Sequence, residues 1–183
     1  MKKFSVFILS LLLVFVFCSC GEKNDENNKA TVDLEYYANL GQIPECKYKL
    51  GADPEVVDAE LLAEAEAGDE IQYYTDEGDE NILFDNGIYN FYYKKDKPEK
   101  GISFIASYET AFGFEPGTLI VKVKESIAAT AVEEDANDEN SFFVWSLQNG
   151  SVLKYSFKNA TILFVFENNA LCATAIYNSN WEK

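Results

Sequence analysis

Apolar and polar positions follow two patterns along this chain, and they come in the same order twice. Between Asp53 and Ala67 the residues Val57, Leu61 and Ala65 recur at every fourth place, with Asp53 set to cap, Pro54 to start and Gly68 to close. That spacing predicts a helix. Ile71 to Thr75, Asn81 to Phe84, Ile88 to Lys94 and Ile102 to Tyr108 are short runs rich in Ile, Phe and Tyr, separated by Asp-Glu-Gly-Asp, Asp-Asn-Gly and Lys-Pro-Glu-Lys-Gly. They predict antiparallel strands joined by turns.

Pro116-Gly117-Thr118 restarts the order, with Thr118 as a candidate cap and Ile120, Val123 and Ile127 on one helical stripe. Val121 and Val123, alternating with Lys122 and Lys124, also suit a strand. An acidic stretch from Glu133 to Asn140 is followed by predicted strands at Phe142 to Gln148, Val152 to Phe157 and Thr161 to Glu167. Asn168-Asn169 then turns the chain into Ala170 to Tyr177. Leu50-Gly51 aligns with Pro116-Gly117, and Gly101 to Ala106 with Ala170 to Ala175. The expectation is an α+β fold of two tandem modules, residues 31–111 and 112–183, each a helix packed on an antiparallel meander sheet. An α+β chain without duplication can show the same order, and that alternative stays open.

The N-terminal end has a different logic. Met1-Lys2-Lys3 supplies positive charge, Phe4 to Cys18 an apolar run of 15 residues, and Ser19-Cys20 a small residue followed by a thiol. This is the build of a secretory signal over residues 1–19. A retained membrane span would need roughly 20 apolar residues. The ending resembles the lipobox of bacterial lipoproteins, and that resemblance implies cleavage before Cys20 and lipidation of its thiol. An ordinary cleaved signal, with Cys20 a bystander, is the other reading. Gly21 to Lys29 has no apolar residue, so residues 20–30 are expected to be a disordered tether. Together these place the protein at the extracytoplasmic face of the cell membrane, with the membrane itself as a partner through the lipid anchor.

Charge removes several functions. The chain has 15 Lys+Arg, 31 Asp+Glu and no His, for a net charge of −16, and every cation is a lysine. Loss of residues 1–19 removes Lys2 and Lys3 and no acid, which takes the mature protein to −18. Such a surface repels phosphate backbones, so nucleic acid is not an expected partner. Without His, neither a Ser-His-Asp nor a Cys-His arrangement can be built, and a zinc site is poorly supplied. The acids on the predicted helix, Asp58, Glu60, Glu64 and Glu66, read as its solvated face rather than as a glycosidase pair. Asp76-Glu77-Gly78-Asp79-Glu80 and Asp135 to Glu139 alternate side-chain oxygens but complete no calcium loop. No enzyme activity, metal or cofactor is expected.

Cys46 and Cys172 remain beyond the leader. In an exported protein they are candidates for a disulfide, whereas their apolar neighbours favour two buried thiols. The aromatic content of 15% gives the mature region material for a core. Tyr36-Tyr37, Tyr73-Tyr74 and the run Tyr89, Phe91, Tyr92, Tyr93 are expected on strands, with rings on both faces. A sheet covered by a helix on one side leaves the other open, and Tyr73, Tyr89, Tyr93 and Trp145 are the candidate ligand-binding residues on such a face.

Gly117-Thr118, Val123, Ile127, Val144-Trp145 and Phe166-Glu167-Asn168-Asn169 give the second half a resemblance to the small lipoprotein of the Gram-negative outer-membrane assembly machine. Two such modules in tandem resemble the β-lactamase-inhibitor-protein fold, and Gly41 to Gly51 is similar to lipoproteins of Gram-positive bacteria. The resemblance spans roughly residues 41–177. It implies a non-enzymatic binding module with a protein partner at the cell surface; a carbohydrate-binding or carbohydrate-processing lipoprotein is the alternative.

Overall fold

The computed structural model describes residues 31–68, 73–136, 147 and 149–178. The expected leader, the expected tether with Cys20, Trp145 and the strand expected at Phe142 to Gln148, apart from Leu147, lie outside the described residues.

Among the described residues three short helices and eight strands follow one another: α1 (Leu34–Leu40), α2 (Pro54–Glu66), β1 (Tyr74–Glu77), β2 (Asn81–Asp85), β3 (Tyr89–Lys94), β4 (Phe104–Ser107), α3 (Ile120–Ser126), β5 (Val132–Asp135), β6 (Gly150–Ser156), β7 (Thr161–Glu167) and β8 (Ala170–Tyr177). A single 3-10 turn, Pro98–Lys100, precedes β4. The strands form one antiparallel sheet in the order β1-β2-β3-β4-β8-β7-β6-β5.

This overturns the expected α+β fold of two tandem helix-plus-sheet modules: the protein is mainly β, with a single sheet. The joint is β4 against β8, in register from Phe104↔Tyr177 to Ser107↔Thr174. All four residues of β4 are buried. A strand buried on both faces cannot leave its edge amides unpaired, so each four-stranded meander uses the other to close its last edge. The two runs therefore share one ladder and one core.

That core lies between the sheet and all three helices. Leu34 and Ala38 of α1, Val57 and Leu61 of α2 and Val123 of α3 pack with Phe91, Ile105, Ile162, Phe164 and Ile176 from the strands. Phe164 is a hub of edge-on rings, 5.8 Å from Phe112, 5.6 Å from Phe114 and 5.8 Å from Tyr155. The opposite face carries a smaller apolar cluster of Phe104, Ala106, Val152, Leu163, Val165, Ala173, Ala175 and Tyr177. Its centre is buried, not open as expected.

Three elements differ from the sequence reading, one of them β5, a strand where an acidic stretch was expected. Tyr36 and Tyr37 stand on a helix, not a strand: Asp33 Oδ1 accepts a hydrogen bond from the Tyr36 N–H at 3.0 Å, and Gly41 ends α1 at φ 67°. In the stretch 118–127 the helix is realised, but Leu119 is its cap and contributes no side-chain bond. Thr118 instead donates its hydroxyl to the Glu115 carbonyl at 2.7 Å. No helix among the described residues is long and apolar enough to cross a membrane.

Candidate functional site

The acidic and aromatic residues converge where α2 crosses the strands at the β1 end of the sheet. Pro54 starts α2 and the Asp53 carboxylate accepts from the Glu55 N–H at 3.0 Å, which fixes the helix start over the sheet. With Val57 and Leu61 buried beneath the helix, Asp58, Glu60 and Glu64 are carried along its flanks, only partly exposed. The Tyr73 hydroxyl donates to Asp58. Burial, and next the Asp58 carboxylate, push the Tyr73 phenol well above the usual tyrosine range. The Tyr48 hydroxyl donates to Glu60 at 2.9 Å, and burial together with that bond pushes Tyr48 up to about 12. Lys47 pairs with Glu60 at 2.6 Å and Glu64 at 3.1 Å. It also lies 5.1 Å from the centre of the Tyr48 ring. Hydrogen bonds to the two glutamates raise the Lys47 pKa, and the Lys47 ammonium lowers that of Glu60. These ion pairs are solvent-exposed and contribute little stability.

Tyr93 lies in a cleft of about 410 Å³ beside this group, with Gly51, Asp53, Pro54, Glu55, Pro98, Glu99 and Gly101 as its other walls. A phenol ring, two prolines and three carboxylates give it an apolar floor with a negative rim. Burial raises the Tyr93 pKa, and so do the charges of Asp58, Glu77 and Glu55. The potential at this corner therefore favours cations, and a ring face among carboxylates is suited to an ammonium or guanidinium group.

Of the candidate ligand-binding residues, Tyr73 and Tyr93 come together here. Tyr89 is on the same helix-covered face but farther along β3, 6.0 Å from Phe91, and its phenol is pushed up to about 12, chiefly by burial. All three rings are half-buried beside the core rather than displayed on an open face. Trp145 lies outside the described residues. Lys47, Tyr48, Pro98 and Glu99 were not singled out from the sequence; the readable signal was the i, i+4 spacing of Glu60 and Glu64, which sets both carboxylates on one flank of α2, with Asp58 on the other.

Cys46 and Cys172 are free thiols. Cys46 belongs to the core under the helices and Cys172 packs on the opposite face, with its Sγ donating to the Val165 carbonyl at 3.2 Å. Burial raises both to about 11, so neither is an activated nucleophile. Among the described residues no three His, Cys, Asp or Glu side chains are grouped to hold a metal ion. Asp76 and Glu77 belong to β1, and Gly78 to Glu80 form the turn after it.

Compared with family models, curated proteins and solved structures, the chain matches none of them.

Proposed function

We propose that this protein is a membrane-anchored extracytoplasmic lipoprotein that acts as a non-enzymatic binding module, with the corner around α2 holding a cationic partner protein. The observation that carries the reading is the Tyr93 cleft, where Asp53, Glu55 and Glu99 surround an aromatic ring. The geometry suits capture of a lysine or arginine side chain by charge and ring face together. The leader ending in Ser19-Cys20 supports the anchor, and a net charge of −16 supports electrostatic steering of a basic partner.

Two measurements test this. Intact mass of the protein from a membrane fraction is expected to show a chain beginning at Cys20 with added acyl mass, both lost in Cys20→Ala; a chain cut elsewhere without lipid removes the anchor. Titration of tyrosine fluorescence with a lysine-rich peptide is expected to give a response that weakens with salt and is reduced in Tyr93→Ala. A response to neutral oligosaccharides instead, unaffected by salt, would assign the cleft to glycans.

A further inference from the structure

Edge strands present backbone groups that a second chain can pair with, and proteins blunt them with proline, bulges, cover or charge. Among the described residues β1 ends the sheet, beside the candidate site. Its turn into β2 closes with the Gly78 N–H donating to the Asn81 carbonyl at 3.0 Å. The register runs Glu77↔Ile82, Asp76↔Leu83, Thr75↔Phe84, Tyr74↔Asp85. Hydrogen-bonded pairs alternate in an antiparallel ladder, so Asp76 and Tyr74 bond to β2 while the N–H and C=O of Thr75 and Glu77 point off the sheet. The strand has no proline and no register shift, and all four of its residues are exposed, Tyr74 at 58%. Its blunting device is charge: Glu77 on the helix side, Asp76 on the other, and Asp79 and Glu80 in the following turn.

We propose that β1 is an acceptor edge for an extended, cationic segment of a partner protein, which adds to the sheet as a further strand. The inference rests on the binding-module reading and specifies the partner's form. Lysine or arginine at alternate positions would meet Asp76 on one side, with the Tyr74 ring offering a face to the same cation, or would exchange on the other side with Lys95, which pairs with Glu77 at 3.1 Å across an exposed contact. The backbone of Thr75 and Glu77 supplies the hydrogen bonds. A second copy fits poorly: the other edge, β5, is Val132-Glu133-Glu134-Asp135, so pairing either edge with either edge sets carboxylates against carboxylates. At β5, Lys124 already pairs with Glu133. The charge that keeps copies apart admits the opposite sign. β1 is also continuous with the Tyr93 cleft, since Tyr93 pairs with Ile82, the partner of Glu77.

The test uses the mature chain and a blocked peptide of alternating lysine with valine or threonine, compared with the same peptide N-methylated at every peptide nitrogen, so that neither of its edges can donate. Both carry the same charge, but only the first can complete a ladder. Binding of the unmethylated peptide is expected to slow hydrogen exchange at the Thr75 and Glu77 amides and to weaken about tenfold on methylation, as expected for lost backbone bonds. Thr75→Pro, which removes an outward N–H without touching the β1–β2 ladder, is expected to produce a similar loss. Equal binding of both peptides with no protection at β1 overturns the strand inference and leaves an acidic binding surface. Absence of binding by either peptide at low salt overturns both readings. Dimers of the free protein with Thr75 and Glu77 already protected would assign the edge to a second copy and overturn the proposal.

Discussion

Gly101 approaches Gly51 so closely that a β-carbon on Gly101 would lie 2.6 Å from the carbonyl carbon and oxygen of Gly51. The contact belongs to a short two-way bridge: the Gly51 N–H donates to the Ile102 carbonyl at 2.7 Å, and the Ile102 N–H to the Ala52 carbonyl at 2.9 Å. The second half repeats the pattern, with Gly117 N–H donating to Leu171 at 2.7 Å and Leu171 N–H to Thr118 at 2.8 Å. In both halves a segment preceding a helix is thus bonded to a strand or its approach. At Gly101 this leaves no room for a side chain and holds the floor of the Tyr93 cleft.

Gly101→Ala is therefore expected to destabilise the protein by about 3 kcal/mol, through the clash with backbone and a φ of 73° that alanine adopts poorly. Gly113→Ala, at φ 78° with nothing near its β-carbon, is expected to cost about 1 kcal/mol. Urea midpoints separate the two, and equal losses would sink the close-approach argument.

Neighbouring leucines on α2 are expected to behave differently. Leu61 is fully buried and Leu62 is 44% exposed. Leu61→Ala is expected to cost roughly 2–5 kcal/mol by cavity formation, and Leu62→Ala about 0.5 kcal/mol or less. Chemical denaturation reads both; a large loss at Leu62 would mean that α2 packs on another face.

Asp53 caps α2 and also lines the cleft. Asp53→Ala is expected to destabilise by about 1 kcal/mol, with Asp53→Asn retaining most of the stability. In peptide titrations both variants are expected to lose affinity, because the negative rim loses a charge in each. Full binding by Asp53→Asn would remove this carboxylate from the site.

The thiols give a pH dependence of known sign. Cys46 and Cys172 are raised from 9.0 to about 11, chiefly by burial. A raised folded value means that the native state keeps a proton the unfolded chain releases. Their contribution to stability is thus complete below about pH 9 and lost as the pH rises through about 11. The urea midpoint is expected to fall across that window, and less steeply in Cys46→Ala measured against its own neutral-pH value. An unchanged slope would assign the alkaline transition to Cys172 and the buried tyrosines.

The elements were largely legible in the sequence because their signals are local. Asp53-Pro54 and the spacing of Val57 and Leu61 specified α2, and Thr161 to Glu167 with Asn168-Asn169 specified the final hairpin, where both asparagines adopt positive φ. β5 was missed because an edge strand exposed on both faces carries no alternation to read. α1 was missed because a seven-residue helix offers one apolar repeat, Leu34 and Ala38, and its tyrosines suit strands equally well. At the site, the cap and the acidic flank of α2 were readable, whereas the meeting of Tyr73 with Asp58 and of Lys47 and Tyr48 with Glu60 depended on how the helix crosses the sheet.

By itself the sequence determined the capped helix, most strands, the absence of histidine chemistry and the excess of acidic residues, since each follows from residue type and short-range spacing. Only the tertiary structure decided that β4 pairs with β8, merging two expected modules into one sheet, and that Cys46 and Cys172 fall on opposite faces of it. Those outcomes turn on pairing between residues about 70 places apart along the chain, where a strand's pattern specifies which side is buried but not which edge it will join.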